Sequence, residues 1–223
     1  MAIADVIASK TFDNGAICSS DQSVIFDDKD VAGKALQLFL ENGAYLCSEA
    51  EKAKLEAVMF DKERGVPAMA VIGKKPQIIA ELAGFSVPAE VKLLMAPLTT
   101  TGAEDWMSHE KLSPVLGWYI ADSKEKAISA AISQLECGGA GHSAVVFIEN
   151  EEVAKDFALS VPANRVIWNQ PSVHGAIGAI YNDLVPSLAL GCGAKGGNGA
   201  TENVGFANLL NIKRVARRKS ASN

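Results

Sequence analysis

Cys18 is the residue whose type and setting point most directly to chemistry. It follows the turn-forming residues Asn14 and Gly15 at the end of the run Asn14-Gly15-Ala16-Ile17-Cys18. A nucleophilic cysteine needs a sharp turn that exposes sulfur and nearby amides that favour the thiolate. The alternative is that Cys18 fills core space, as many cysteines do. We interpret Cys18 as a candidate nucleophile, and we expect the amides of the turn to lower its pKa.

His142 is the best candidate for acid or base chemistry. It ends the glycine-rich run Gly138-Gly139-Ala140-Gly141-His142, and these glycines leave an imidazole accessible. The reference pKa of histidine, about 6.5, lies near neutral pH, so the ring can act in either protonation state. The alternative is a loop histidine without a chemical role.

Glu110 lies in the segment His109-Glu110-Lys111-Leu112-Ser113-Pro114, directly before an apolar stretch. A carboxylate accepts two hydrogen bonds and so suits a ligand that presents neighbouring hydroxyl groups. The alternative is a surface charge that precedes a strand.

A glycine-rich segment near the C-terminus matches the dinucleotide-binding fingerprint by letter, with Gly191, Gly193 and Gly196. The fingerprint requires a preceding strand and a following crossover with an acidic residue, and too few residues follow for that. We expect a loop whose backbone approaches a ligand closely.

Hydrophobic periodicity predicts an alternation of strands and helices that can position these residues. This alternation defines an α/β fold, with a mostly parallel sheet and helices on both faces. Ser48 and Glu51 form a capping-box pattern that opens one of the helices. Irregular backbone is expected from Pro171 onward. The predicted helices are 2–10, 48–60, 76–82, 123–135 and 151–159, together with one that the acids of residues 27–30 can cap and that runs to about residue 41; the predicted strands are 23–26, 91–96, 115–120, 143–148 and 165–168.

Composition narrows the class of protein. The 223 residues carry a net charge of -5, whereas a nucleic-acid-binding protein normally has a basic surplus. Four cysteines show neither a C-x-x-C pair nor histidines at metal-ligand spacing, so we expect no metal site and no disulfide framework. No apolar run approaches the roughly 20 residues that span a bilayer, and no signal-peptide pattern opens the chain. We therefore expect a cytoplasmic protein that binds neither nucleic acid nor membrane.

Three segments, in the same order, resemble the CoA-acylating aldehyde dehydrogenases, and most closely the aldehyde dehydrogenase half of bifunctional aldehyde-alcohol dehydrogenases. They are the run from Lys10 to Val24 around Cys18, the run from His109 to Pro114, and the run from Leu190 to Gly205. Ala16 stands where the broader aldehyde dehydrogenase pattern usually has Gln or Glu. This departure favours the acylating branch over the hydrolytic one.

The resemblance implies an aldehyde dehydrogenase catalytic-domain-like fold and roles for the three candidate residues. Cys18 would be the catalytic nucleophile that forms a thioacyl enzyme, with NAD as cofactor and coenzyme A as co-substrate. His142 would be catalytic, either stabilising the Cys18 thiolate or relaying a proton from the CoA thiol. Glu110 would bind the nicotinamide ribose through its hydroxyls. The substrate would be a small aldehyde or acyl-CoA, and the enzyme would be a homo-oligomer.

The resemblance also sets the expected domain organisation. Residues 1–205 would form the cysteine-bearing catalytic domain and 206–223 a C-terminal tail, and the family's main NAD-binding domain would lie before the cysteine segment. We therefore expect a catalytic-domain fragment of the enzyme. A non-catalytic assembly or binding module derived from the same family is the alternative. Acetaldehyde is the favoured substrate, with sulfoacetaldehyde and propionaldehyde as alternatives.

Overall fold

The structure is a computed structural model that describes residues 1–219. Its helices are α1 Ala2–Thr11, α2 Lys29–Glu41, α3 Glu49–Met59, α4 Pro76–Leu82, α5 Lys124–Gly138, α6 Glu151–Ser160 and α7 Ser172–Ile177. Its strands are β1 Ser23–Phe26, β2 Ala44–Leu46, β3 Phe60–Asp61, β4 Val66–Pro67, β5 Leu93–Pro97, β6 Val115–Ile120, β7 Gly141–Val146 and β8 Ala163–Trp168.

A four-stranded parallel sheet in the order β1-β6-β5-β2 forms the main layer. Strands β7 and β8 form a second parallel sheet of two strands, and β3 and β4 form a short antiparallel pair. The predicted α/β class with a mostly parallel sheet is confirmed. The six parallel strands are divided between two sheets, which periodicity alone does not reveal because it does not specify strand pairing.

The main sheet is covered by helices on both faces, as predicted. Side chains alternate between the faces of a strand, so the buried strand β5 contributes to two separate cores. Leu93 and Met95 pack in one core with α1 and α2, where Phe39 is fully buried. Leu94 and Ala96 pack in the other core, with side chains of α3 and α4. Strand β5 therefore joins the two cores.

Local capping signals predicted the starts of α3 and α4 correctly. Ser48 and Glu51 form the predicted reciprocal capping box at the start of α3, and Pro76 opens α4 at the residue predicted. Four of these elements were not predicted. Strand β2 has three residues, β3 and β4 have two each, and α7 occupies part of the region expected to be irregular. Each is too short for a periodic pattern to emerge.

The C-terminal segment holds little regular structure. A four-residue 3₁₀ helix, Phe206–Leu209, lies in the predicted tail 206–223, of which residues 220–223 lie outside the described residues. The division into a domain 1–205 and a tail stays a prediction. None of the helices within residues 1–219 has the length and apolar character needed to cross a membrane.

Candidate active site

A left-handed turn places Cys18 after the end of α1. Asp13, Asn14 and Gly15 all have positive φ angles, of 47°, 48° and 70°. A Cβ on Gly15 would lie 2.5 Å from the carbonyl oxygen of Ser113, so glycine is required there for both its conformation and its size. The turn leaves Cys18 as an exposed free cysteine.

Cys18 and His142 meet although 124 residues separate them in the sequence. The sulfur of Cys18 lies 3.2 Å from Nε2 of His142, within hydrogen-bonding distance for sulfur. His142 is the second residue of β7 and follows Gly141, whose φ angle is 78°. A Cβ on Gly141 would collide with the carbonyl oxygen of Cys192, so this glycine allows the loop at Cys192 to pack against β7.

The other side of the His142 ring is held by a chain of hydrogen bonds. Nδ1 of His142 lies 3.0 Å from Oγ of Ser143, and Nε of Arg165 donates to the same oxygen at 3.3 Å. The guanidinium of Arg165 also donates to the carbonyl oxygens of Thr201 at 3.2 Å and Gly191 at 2.8 Å. Arg165 is only 5% exposed. Sequence reasoning missed Ser143 and Arg165, although an arginine within a buried strand was a signal for a specific partner.

Burial and nearby charges raise the pKa of Cys18 and lower the pKa of His142. Burial within the cavity wall, followed by the negative charge of Glu110, raises the pKa of the Cys18 thiol, while the N–H groups of Cys18 and Ser19 oppose that shift. The expected net lowering of the thiol pKa is therefore wrong. Burial and then the charge of Arg165 lower the pKa of His142, so its neutral form is favoured at neutral pH.

Glu110 lies in the wall of the same cavity as Cys18 and His142. Burial raises the pKa of its carboxyl, and the positive charges of Lys10 and Lys111 oppose the shift. Both lysines are fully buried, and Nζ of Lys111 donates to the carbonyl oxygens of Met107 at 2.7 Å and His109 at 2.8 Å. Glu110 is thus a partly desolvated carboxyl in the cavity wall that it shares with Cys18. Its cofactor-binding role stays a prediction.

The cavity has a volume of about 610 Å³ and lies between the two parallel sheets. Strands β1 and β7 both contribute to its walls, and most of the lining is apolar, including Val24, Phe26, Val145 and Phe147. Cys18, Glu110 and His142 supply the polar groups named above. An apolar cavity with a few convergent polar groups is the usual form of a small-molecule site.

The glycine-rich segment does not form a dinucleotide-binding loop. Its glycines lie around a three-residue 3₁₀ helix, Ala194–Gly196, instead of a strand followed by a long helix. A Cβ on Gly196 would collide with the side chain of Cys192, and one on Gly191 with the carbonyl oxygen of Ala200. These glycines therefore serve close backbone packing beside β7.

A second cysteine–histidine pair lies apart from this site. The sulfur of Cys137 is 3.3 Å from Nε2 of His109, whose ring stacks on Trp106 at a centroid distance of 4.6 Å. Burial raises the pKa of the Cys137 thiol. In the part of the chain that the structure describes, no three His, Cys, Asp or Glu side chains are grouped so as to hold a metal ion.

Comparison with known proteins shows what this fold and site are similar to. No protein-family model matches the chain. An aldehyde-alcohol dehydrogenase from Streptococcus pneumoniae is 40% identical over 97% of this chain and 25% of its own length. A succinate-semialdehyde dehydrogenase (acetylating) from Clostridium kluyveri is 35% identical over 96% of this chain and 47% of its own.

A crystal structure of an acetylating aldehyde dehydrogenase from Geobacillus thermoglucosidasius superposes on the whole chain with a TM-score of 0.92 and 40% identity, and the match covers 48% of that protein. The chain is therefore homologous to a portion of the acylating aldehyde dehydrogenases, and the predicted resemblance is confirmed. It spans about a quarter of the aldehyde-alcohol dehydrogenases and about half of the other relatives named here.

Proposed function

We propose that this chain is the cysteine-bearing catalytic portion of an NAD-dependent, CoA-acylating aldehyde dehydrogenase, in which Cys18 carries the acyl group. The observation that carries the proposal is the 3.2 Å contact between the Cys18 sulfur and Nε2 of His142 at a largely apolar cavity. Homology to enzymes named as acetylating supports it. The cytoplasmic location and self-association stay predictions.

The chemistry divides an oxidation into two transfers at one sulfur atom. The Cys18 thiolate adds to the aldehyde carbon, and the carbonyl oxygen becomes an alkoxide, for which the N–H of Cys18 is a candidate hydrogen-bond donor. Loss of hydride from that carbon leaves a thioester on Cys18. The CoA thiolate then adds to the thioester carbonyl, the bond to Cys18 breaks, and acyl-CoA leaves with the thiolate restored. Every step is reversible, so reduction of acyl-CoA to an aldehyde is equally in scope.

Among the residues that line the cavity, Glu110 is suited to hold part of a nicotinamide cofactor. Glu110 is a half-buried carboxyl in the wall of the cavity that Cys18 lines, where neighbouring hydroxyl groups of a ribose would find an acceptor. NAD, when bound, supplies the hydride acceptor, and Glu110 is the residue that would hold its nicotinamide ribose.

A propionaldehyde dehydrogenase from Rhodopseudomonas palustris, 19% identical with a TM-score of 0.72, has been solved with bound CoA and an acylated cysteine.

Acyl transfer from acyl-CoA to Cys18 tests the proposal, because that half-reaction needs no nicotinamide. The chain is incubated with acetyl-CoA, propionyl-CoA or free CoA at neutral pH, and the cysteine-containing peptides are mapped by mass spectrometry. We expect an acyl increment on Cys18 that is absent in Cys18→Ser and retained in Cys137→Ser, which alters the other cysteine–histidine pair. Acylation equal at Cys18, Cys47 and Cys137, or at none of them, would favour a binding module over an enzyme.

A further inference from the structure

The two cysteine–histidine pairs have similar separations but differ on the far side of the imidazole. Cys18–His142 and Cys137–His109 are 3.2 Å and 3.3 Å apart, and in both pairs Nε2 faces sulfur. Burial lowers the pKa of His109, and backbone hydrogen bonds at Ala103 and Gly102 oppose that shift. Nδ1 of His142 faces the hydroxyl of Ser143. A hydroxyl can donate as well as accept, so the two rings need not carry their hydrogen on the same atom.

Arg165 determines the direction of the Ser143 hydrogen bond. A serine hydroxyl has one hydrogen and two lone pairs, whereas a guanidinium has donors alone and stays protonated in proteins. Arg165 Nε therefore donates to Ser143 Oγ, and that oxygen must send its own hydrogen elsewhere. Within residues 1–219, the remaining polar partner of this hydroxyl is Nδ1 of His142. The opposite arrangement, with Nδ1–H donating, would leave the hydroxyl hydrogen without a partner in that region.

We propose that Arg165, acting through Ser143, positions His142 as the tautomer with its hydrogen on Nε2, so that the ring donates a hydrogen bond to the Cys18 sulfur. Arg165 and Ser143 are positioning residues that touch neither substrate nor sulfur. The inference rests on the proposed function, in which Cys18 is the nucleophile. It selects one of the two roles open for His142: the ring stabilises the Cys18 thiolate, and Nε2 does not take a proton from an incoming thiol.

Neighbouring charges agree with this assignment. Arg165 is anchored by the carbonyl oxygens of Thr201 and Gly191, so its charge is held beside the His142–Ser143 pair. That charge and burial favour the neutral ring, the form in which the two tautomers differ. Glu110 and Cys192 act against the Cys18 thiolate, whereas the positive charge of Arg165 favours it. A donated hydrogen bond from His142 adds to the attraction of Arg165 in offsetting them.

Nitrogen NMR of the chain with ¹⁵N-labelled histidine tests the tautomer directly. We expect His142 at neutral pH to show a protonated, pyrrole-type signal at Nε2 and a pyridine-type signal at Nδ1. His109, whose Nε2 faces the Cys137 sulfur, serves as an internal control. Ser143→Ala and Arg165→Gln should convert the His142 signals to a tautomer mixture and leave those of His109 unchanged. Ser143→Thr keeps the hydroxyl and should preserve the original signals.

Alkylation of Cys18 gives a second readout. Loss of a hydrogen bond to a charged sulfur should slow iodoacetamide labelling of Cys18 at neutral pH by about tenfold in Ser143→Ala, with recovery in Ser143→Thr. Cys137 labelling should not change. A wild-type Nδ1–H tautomer, or unchanged signals and labelling in Ser143→Ala, would overturn the inference. The NMR signature needs no substrate, so a failure of acyl transfer with the signature intact would count against the proposed function alone.

Discussion

At the scale of single residues, Cys18 shows that an exposed thiol can still have a raised pKa and so a low reactivity. Its sulfur reaches solvent, yet burial of its surroundings and the carboxylate of Glu110 raise its pKa. The groups that favour the thiolate are the N–H groups of Cys18 and Ser19 and the charge of Arg165, together with the hydrogen bond that we propose His142 donates. Glu110 therefore suppresses the free thiolate in the same cavity where the proposal gives it a cofactor to bind. Neutralising or engaging Glu110 should increase the reactivity of Cys18.

Glu110→Gln should accelerate iodoacetamide labelling of Cys18 at neutral pH. Removing the negative charge lowers the thiol pKa, and each unit of lowering increases the thiolate fraction about tenfold at first, so we expect a several-fold effect. Mass-mapped labelling rates across pH measure it, and the rate profile should move to lower pH. Glu104→Gln removes an exposed charge from the same segment and is the matched control. A rate unchanged or slowed in Glu110→Gln would contradict the electrostatic account.

The sequence identified the candidate site residues better than it predicted their environment. Cys18, Glu110 and His142 were each recognisable from local features, and the structure brings all three to one cavity. The direction of the Cys18 pKa shift was not predictable, because it depends on burial and on a carboxylate distant in the sequence. Arg165 was missed for a related reason. Its importance comes from the carbonyls of Thr201 and Gly191, which reach it through packing of the irregular C-terminal segment.

At the scale of elements, the left-handed turn before Cys18 combines an unfavourable conformation with a close contact. Two non-glycine residues, Asp13 and Asn14, adopt positive φ, and short polar side chains tolerate this region better than most. Gly15 completes the turn against the backbone of Ser113. The turn therefore depends on the segment before β6, which also carries Glu110, and links the proposed nucleophile to the proposed cofactor-binding residue.

Gly15→Ala should destabilise the protein more than Gly65→Ala. The two glycines have nearly the same φ, 70° and 68°, but a Cβ on Gly65 meets no atom within 4 Å, whereas one on Gly15 approaches Ser113 closely. Gly65→Ala should cost about 1 kcal/mol for the left-handed conformation. Gly15→Ala should cost roughly 1–3 kcal/mol more, the range for overpacking. Urea unfolding of both variants gives the comparison, and equal losses would show that the contact with Ser113 relaxes freely.

The capping box of α3 gives an independent test of a local sequence signal. Ser48 accepts from the Glu51 N–H, and the Glu51 carboxylate accepts from both the N–H and the hydroxyl of Ser48. Ser48→Ala should therefore lower the free energy of unfolding by about 1 kcal/mol. Ser123→Ala removes a single cap hydrogen bond, to the Lys126 N–H at the start of α5, and should cost less. The comparison is made by thermal or urea unfolding, and a larger loss in Ser123→Ala would refute the reciprocal contribution.

At the scale of the whole molecule, burial shifts the pKa values of two ionisable side chains near the candidate site. Lys10 is fully buried, and burial lowers its pKa to about 7, while burial raises the pKa of Asp21 to about 6. The ordinary pKa of lysine is 10.5, so above about pH 7 the unfolded chain binds more protons at Lys10 than the folded one. The contribution of Lys10 to stability therefore increases as pH rises from about 7 toward 10.5.

Comparison of the wild-type chain with Lys10→Met isolates this effect. Between about pH 7 and 8.5, the stability of the wild type relative to Lys10→Met should rise by up to about 1.4 kcal/mol per pH unit. Lys29→Met, which replaces an exposed lysine, should show no such relative slope. Staying below about pH 8.5 limits the opposing ionisation of the cysteines, which become acidic near that value once unfolded. A relative slope of zero or of opposite sign would show that Lys10 is charged in the folded protein.

Because the cavity lies between two sheets, the 3.2 Å contact between Cys18 and His142 depends on the spacing of those sheets. Cys18 precedes an edge strand of the four-stranded sheet, and His142 belongs to the two-stranded sheet across the cavity. The sulfur–imidazole distance therefore increases when the two sheets move apart. An acyl group wide enough to wedge β1 away from β7 would pull donor and acceptor apart. Discrimination against bulky acyl groups would then arise as a slower reaction after binding, in addition to any loss of affinity.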